Sequence, residues 1–346
     1  MSGGEVRDGV SLTNLDQPLF EGGDATKRDL VDYLDAVAAQ IIPELRGRPL
    51  SVVRVLRGQE PFMQKNVPKY TPPWVRTVTL WAESSRREVS YALCDDRRTL
   101  LWFANQRAIE YHPTLARAGH LNQPTYLVLD IDPPSADTFG LAVRAAWLVR
   151  QALAGVGLAG AVKTSGAKGV HVLVPIDEHA GSEDAAAATR AIAARAERLD
   201  PDLTTTAFIR EDRVGKVFLD STRAGGATVV AAYSPRVRPR VPVSFPVAWN
   251  DLDRVDPGDF TVRTAARLIA GRDPWAGQMP GPQRLDAALI EEGHAIPIAR
   301  VQAMHEGKRR ARARRAGGTG SADGTHGDTG GAGKTDAAGE AGDGMS

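Results

Sequence analysis

Cysteine is almost missing: the 346-residue chain has one, Cys94. A lone cysteine excludes an intramolecular disulfide and any cysteine-rich zinc site, and it suits a reducing compartment, so a cytoplasmic protein is expected. Metal ligands must then be oxygen or histidine. Long apolar runs are missing as well. No stretch approaches the ~20 residues of a membrane span, and the opening MSGGEVRDGVSL lacks the apolar segment of a signal peptide, so no membrane partner is expected. Net charge is also nearly absent, with 43 basic and 42 acidic residues giving +1. That total hides an asymmetry. From Arg300 to Arg315 seven basic residues accompany one acid, Glu306, whereas 316–346 carries one lysine and five acids. The rest is close to neutral, so nucleic-acid binding by bulk charge is excluded and any such contact needs a local basic groove or the basic run.

The chain does have a hydrophobic content of 42 %, enough to bury a substantial core. Residues 1–10 read as a flexible lead-in, 11–300 as one catalytic domain, and 301–346 as a basic, then Gly/Ala/Asp-rich, disordered tail whose composition cannot offset its ordering entropy. Leu30, Val31, Leu34, Val37, Ala38 and Ile41 recur at helical spacing, predicting an amphipathic helix over 26–45. LSVVRVL, VRTVTLW, REVSYALC and TLLWFA read as strands, as do YLVLDID, KVFLD and ATVVAAYS. A helix is expected over about 138–154, then a strand-turn-strand in AVKTSGAKGVHVLVP, then an alanine-rich helix capped by Ser182 and running to about Leu199. Hairpins mixed with crossovers imply an α+β fold of mixed sheets flanked by helices. Of the six tryptophans, Trp74, Trp81, Trp102 and Trp249 among them read as core or sheet-packing residues.

Chemistry concentrates at strand ends. Asp130 and Asp132 close an apolar strand at i and i+2, so both side chains face one way. Like charges at that spacing repel, and a divalent cation between them is the usual remedy. An isolated Asp-x-Asp also fits an ordinary strand-terminating turn, and context decides. Ser165-Gly166-Ala167-Lys168-Gly169-Val170-His171 supplies a glycine-bearing turn with a lysine and a histidine, suited to a polyphosphate, although the same string serves as a plain hairpin turn. Asp220 ends a further strand, with Arg213 before it and Arg236 after it. Three strand-end carboxylates beside a basic turn have the composition of two-metal phosphoryl transfer. Taken singly, His112 and His171 are also compatible with satisfied structural histidines.

Several segments then match in order: LTN at 12–14, TK at 26–27, RGRPL at 46–50, FMQKN at 62–66, Asn105, IExHP at 109–113, LDIDPP at 129–134, SGAKGVHV at 165–172, and RVGKVFLD followed by AAYSPR. Over nearly all of 11–300 the sequence resembles the archaeo-eukaryotic primase superfamily, specifically the polymerase domain of bacterial ligase D and its stand-alone relatives. The resemblance implies that Asp130, Asp132 and Asp220 are catalytic and hold two divalent ions, Mn2+ or Mg2+. It places His112, Ser165, Lys168, His171, Arg213 and Arg236 at the nucleotide, and Lys27, Phe62 and Lys65 at DNA, with Phe62 stacking against the template and Lys27 gripping a 5′-phosphate. The chain departs from the ligase D pattern at Gln17, where a lysine is usual, at Met63, where a second phenylalanine is usual, and in a shorter 54–62 segment. No nuclease or ligase region is recognised beside the polymerase core. The closer likeness is therefore to stand-alone actinobacterial primase-polymerases that work beside ligase C.

The expected activity is template-directed extension of a primer 3′-hydroxyl at gapped or broken duplex DNA. NTPs are expected in preference to dNTPs, and a separate ATP-dependent ligase is the expected partner. Excision-repair gap filling is the first expectation and end filling during non-homologous end joining the second. Two readings of other classes are a non-catalytic DNA-binding scaffold for a ligase and a metal-dependent phosphodiesterase. A triphosphate-binding set argues against the latter, because hydrolysis needs none. The KRRARARR run at 308–315 reads as a solvated charge cluster whose sign also suits DNA phosphates.

Overall fold

Thr26 opens the first helix because its hydroxyl accepts from the Asp29 N–H while its own N–H donates to the Asp29 carboxylate at 2.7 Å, a closed capping box. The computed structural model describes residues 5–82, 86–225, 227–269 and 273–298, together with residue 304. The chain divides into a unit Met1–Arg300 and a unit Val301–Ser346. Apart from residue 304, the 301–346 tail expected to be disordered, with its basic run at 308–315, lies outside the described residues. The long helix expected over 26–45 is two helices, α1 (Lys27–Ala36) and α2 (Ala38–Leu45). Pro43 cannot donate to the carbonyl one turn before it and its ring crowds that carbonyl, and the helix is interrupted just ahead of that turn, at Val37. Where the sequence suggests a flexible lead-in, β1 (Glu5–Arg7) pairs with β2 (Val10–Leu12), and Arg7 ion-pairs with Glu5, Asp32 and Asp35.

A five-stranded sheet follows, built from β3 (Leu50–Arg54), β4 (Phe62–Gln64), β5 (Thr77–Ala82), β6 (Arg87–Ala92) and β7 (Ala108–Pro113). Its order is β4-β3-β6-β5, and β7 also pairs with β3. TLLWFA, expected as a strand, lies inside helix α3 (Arg97–Asn105). Thr99 to Ala104 are all buried, so the run has no alternation to separate strand from helix. The deciding signal is Asp96, whose carboxylate accepts from the Thr99 N–H at 2.8 Å. Trp102 is buried, but Trp81 stands 59 % exposed on the outward side of β5, contrary to a packing role.

The second sheet contains β8 (Tyr126–Asp132), β9 (Ala161–Thr164), β10 (Val170–Pro175), β11 (Thr204–Thr205), β12 (Val217–Asp220) and β13 (Pro246–Val247), in the order β11-β12-β8-β10-β9-β13. All neighbours are antiparallel except β11 and β12. ATVVAAYS does not join it. That segment runs beside β7, bridging at Thr228 and donating from the Val229 and Ala231 N–H groups to the Pro113 and Tyr111 carbonyls, but it forms no strand, and Tyr233 takes a positive φ of 67° that no strand tolerates. Helices α4 (Phe139–Ala154) and α5 (Ser182–Leu199) cover one face of this sheet; Ser182 is the first residue of α5 rather than its cap, a place held by Gly181. The short α6 (Ala265–Ile269) lies along the chain toward α7 (Ala287–Ala295), which packs on α5.

Alternation assigns the faces. Leu127, Leu129 and Ile131 join Val170, Val172, Val174, Val217 and Leu219 in the core beneath α4 and α5. Val128 and Leu173 belong instead to the core shared with the first sheet and α1–α3. Period 2 therefore turns Asp130, Asp132, His171 and Asp220 toward the first-sheet side. Asp96→Ala removes the α3 cap and is expected to lower unfolding stability by about 1 kcal/mol, read as a shifted urea midpoint at constant slope.

Candidate active site

Strand register writes the site as one row. His171 on β10 is the partner of Lys163 on β9 and of Asp130 on β8, and Asp130 is the partner of Asp220 on β12. Asp132 lies two residues along β8, opposite Phe218. The row depends on Gly169, since a Cβ there would sit 2.3 Å from the carbonyl oxygen of Ile131, a backbone atom that cannot move without parting β8 from β10. Within the turn that the sequence marks as suited to a polyphosphate, Gly169 thus also admits the neighbouring strand.

Asp130 Oδ1 is 3.1 Å from His171 Nε2. A carboxylate only accepts, so Nε2 carries the proton, and Nδ1 accepts from the Lys163 ammonium at 2.9 Å. Lys163 is wholly buried and also donates to the Ser244 hydroxyl at 2.5 Å. Burial and then the Arg236 charge push the lysine down to about 7, and burial with Lys163 pushes His171 down to about 4. Burial alone would raise the Asp130 carboxyl, but His171, Arg223 and Lys163 outweigh it and hold it well below the usual range.

Arg223 approaches Asp130 Oδ2 at 3.2 Å and Asp220 Oδ2 at 3.3 Å. Asp220 Oδ1 accepts from the Thr222 N–H at 2.8 Å and hydroxyl at 2.6 Å. Asp132 has no such partner among the described residues, and burial together with Asp130 and Asp220 pushes it up to about 6. Lys168, half-buried beside it, donates to the Pro133 carbonyl at 2.8 Å. Arg213 lies 3.5 Å from the Phe218 ring centroid and donates to the carbonyls of Ala207 and Phe208.

Among the described residues no three acidic or imidazole side chains are drawn close enough to hold a metal ion in this arrangement. The donor chemistry nevertheless fits a divalent cation. All three candidates are hard carboxylates, and Asp132, without a hydrogen-bond or ion-pair partner among the described residues, faces two further carboxylates that Lys168 and Arg223 offset only in part.

A second cluster adjoins the glycine turn. Ser165 uses its hydroxyl to accept from the Ala167 and Gly169 N–H groups, and its carbonyl accepts from Arg236 Nη1 at 2.6 Å. Glu110 accepts from His112 Nε2 at 2.8 Å and from the Val237 N–H at 2.8 Å, and lies 3.1 Å from Arg236 Nε. Burial would raise Glu110, yet His112, Arg236 and the Val237 N–H hold it down at about 2. Six expected nucleotide residues, His112, Ser165, Lys168, His171, Arg213 and Arg236, are thus arrayed around the three aspartates. Lys27, Phe62 and Lys65 are not among them. Lys27 is 3 % exposed and donates to the Thr13 carbonyl at 2.6 Å and the Asn105 side chain at 2.7 Å, and burial and then Arg107 lower it to about 8. Phe62 lies half-buried on β4 with Arg54 5.9 Å from its ring centroid, and Lys65 is exposed just beyond.

Sequence reasoning gave no role to Glu110, Lys163 or Arg223. The clues were present: Glu110 is two residues from His112 on one strand, Lys163 interrupts an apolar strand, and Arg223 follows Asp220 by three.

Known proteins resemble the chain in the same region. The family described as LigD, primase-polymerase domain, matches residues 26–275. The bifunctional non-homologous end joining protein LigD of Bacillus subtilis is 32 % identical over 269 residues, covering 76 % of this chain and 43 % of that protein. The multifunctional non-homologous end joining protein LigD of Mycobacterium bovis is 34 % identical over 255 residues, 70 % of this chain and 33 % of that protein. The chain thus spans less than half the length of these curated relatives. The solved polymerase domain from Mycobacterium tuberculosis ligase D in complex with DNA superposes with a TM-score of 0.69 at 31 % identity, over 78 % of this chain and 99 % of that one.

Glu110→Gln tests the second cluster through pH. A carboxyl lowered from about 4.5 to about 2 contributes stability above its unfolded pKa and loses it as the pH falls toward 2. The wild type is expected to lose stability between those limits in a component that Glu110→Gln lacks, measured by urea unfolding at each pH.

Proposed function

The chain belongs to the LigD primase-polymerase domain family, a family of DNA-directed nucleotidyltransferases, and from that premise we propose that it extends a primer 3′-hydroxyl, under template direction, at short gaps in duplex DNA. The row Lys163–His171–Asp130–Asp220, with Asp132 beside it and basic side chains on its rim, carries this reading. Asp130, Asp132 and Asp220 hold two divalent cations, Mn2+ or Mg2+. When bound, these cations neutralise the triphosphate and favour the ionised primer hydroxyl.

The chain's own groups orient the nucleotide. Lys168 and Arg213 sit beside Asp132, where the triphosphate is drawn, and Arg236, fixed by Glu110 and Ser165, fronts the same turn with His112 behind it. His171 presents its Nε2–H on the carboxylate row. Preorganised donors of this kind stabilise developing charge without reorganising during the reaction. Phe62 on β4 and Lys65 just beyond it contact the DNA, and Lys27 with its neighbours grips a downstream 5′-phosphate. A scaffold that only bound DNA would gain nothing from three carboxylates facing a polyanion.

Ribonucleotides are the preferred substrates, a separate ATP-dependent ligase seals the product, and the protein acts in the reducing cytoplasm, which its one buried thiol suits. A second reading, end filling in non-homologous end joining, is favoured by the names of the curated relatives.

Manganese-dependent extension on a gapped duplex, with and without a downstream 5′-phosphate and with NTPs against dNTPs, decides between these. Extension stimulated by the phosphate and by ribonucleotides is expected at gaps, and extension confined to broken ends moves the assignment to end joining. Asp220→Ala is expected to bind DNA and extend nothing; full extension by that variant removes Asp220 from the site.

A further inference from the structure

Among the described residues, Arg223 is the one arginine or lysine ion-paired with Asp130 or Asp220. Its guanidinium takes one oxygen from each carboxylate: Nη2 lies 3.2 Å from Asp130 Oδ2 and Nε 3.3 Å from Asp220 Oδ2. The remaining oxygens are also committed, Asp130 Oδ1 to His171 and Asp220 Oδ1 to the Thr222 N–H and hydroxyl. All four carboxylate oxygens of the pair therefore have partners, and the side facing both carboxylates belongs to Arg223.

The chain puts the arginine there deliberately in a geometric sense. A 3₁₀ turn, Thr222–Gly225, starts one residue after β12, Thr222 is pinned to Asp220, and residue 223 falls at i+3 from that carboxylate. Two carboxylates on adjacent strands repel, so a cation between them steadies both. A single positive charge is a weaker bridge than a divalent ion, and the Arg223 side chain is 39 % exposed, which leaves it a path to solvent.

We infer that Arg223 is a built-in counter-ion that holds the place of a cation between Asp130 and Asp220, that metal binding displaces it, and that its two ion pairs set the metal affinity of the site. The inference rests on the proposed metal role of the three aspartates. It explains why no three ligands converge in this arrangement, since two of them are turned to the guanidinium instead. Metal loading then requires the Thr222–Gly225 turn to release its arginine, so occupancy of the site and the conformation of that turn are linked.

Binding of Mn2+ alone to the full chain, followed by the electron paramagnetic resonance of the free ion, tests this with four proteins: wild type, Arg223→Gln, Arg223→Lys and Asp132→Asn. Asp132→Asn is expected to weaken binding. Arg223→Gln is expected to bind Mn2+ about tenfold more tightly, the scale of one to two such ion pairs, with Arg223→Lys between it and the wild type. Its melting temperature without metal is expected to fall, and Mn2+ is expected to raise it by more than it raises that of the wild type. Affinity unchanged or weakened in both arginine variants, while Asp132→Asn still weakens binding, overturns the counter-ion role and leaves the metal reading standing. Binding indifferent to Asp132→Asn overturns both. Should Arg223→Gln fail to fold, Arg223→Lys carries the comparison, because an ammonium on a shorter reach cannot span both carboxylates.

Discussion

Three carboxylates on one face of a sheet repel one another, and the structure around them is organised by that repulsion. Asp130 is met by His171 and Arg223, Asp220 by Arg223 and Thr222, and Asp132 only by the general field of Lys168 and Arg223. Compensation is thus unequal along the row, which is why Asp130 is held low and Asp132 is pushed up. A site balanced to neutrality by its own side chains would have no use for a metal ion or a polyanionic substrate. This one keeps a deficit of positive charge at Asp132, with the cations Arg223, Lys168, Arg213 and Arg236 placed nearby. Buried ionic groups of this kind add little to stability and are kept for what they do.

The sheet makes the clustering possible without helix or loop flexibility. Antiparallel pairing of β8 with both β10 and β12 brings residues distant in sequence into one cross-strand row, and the two apolar cores on opposite faces fix the register, because a slip of one residue would exchange carboxylates for leucines. Gly169 allows the turn before β10 to lie against Ile131 and completes that register. Catalytic groups mounted on strands are held more firmly than groups on loops. Lys163 extends the same logic inward, as a buried donor that settles which nitrogen of His171 bears the proton.

Much of this was legible in the sequence where a pattern has a single physical meaning. The i, i+2 aspartates after an apolar run, the glycine turn with Lys168 and His171, and the strand ending at Asp220 all fell where alternation put them. TLLWFA failed because a fully buried run carries no period, and the cap at Asp96 that resolves it lies outside the run. ATVVAAYS failed because its extended run meets β7 through scattered hydrogen bonds only, Val229 to Pro113 and Ala231 to Tyr111, and the positive φ of Tyr233 cannot be read from composition. Glu110 and Arg223 were missed for a different reason. Each has one partner nearby in sequence, His112 for Glu110 and Asp220 for Arg223, but its other partner, Arg236 or Asp130, lies far along the chain and is brought close by the fold.

The central claim is that Asp130, Asp132 and Asp220 form one metal-binding centre on the face between the two cores. Anomalous diffraction at the manganese edge, from crystals soaked in Mn2+ with a nucleoside triphosphate, tests it most directly. Manganese peaks within coordination distance of all three carboxylates, with the Arg223 guanidinium withdrawn from Asp130, are the predicted result. Manganese bound elsewhere, with Arg223 still bridging Asp130 and Asp220, would contradict the account.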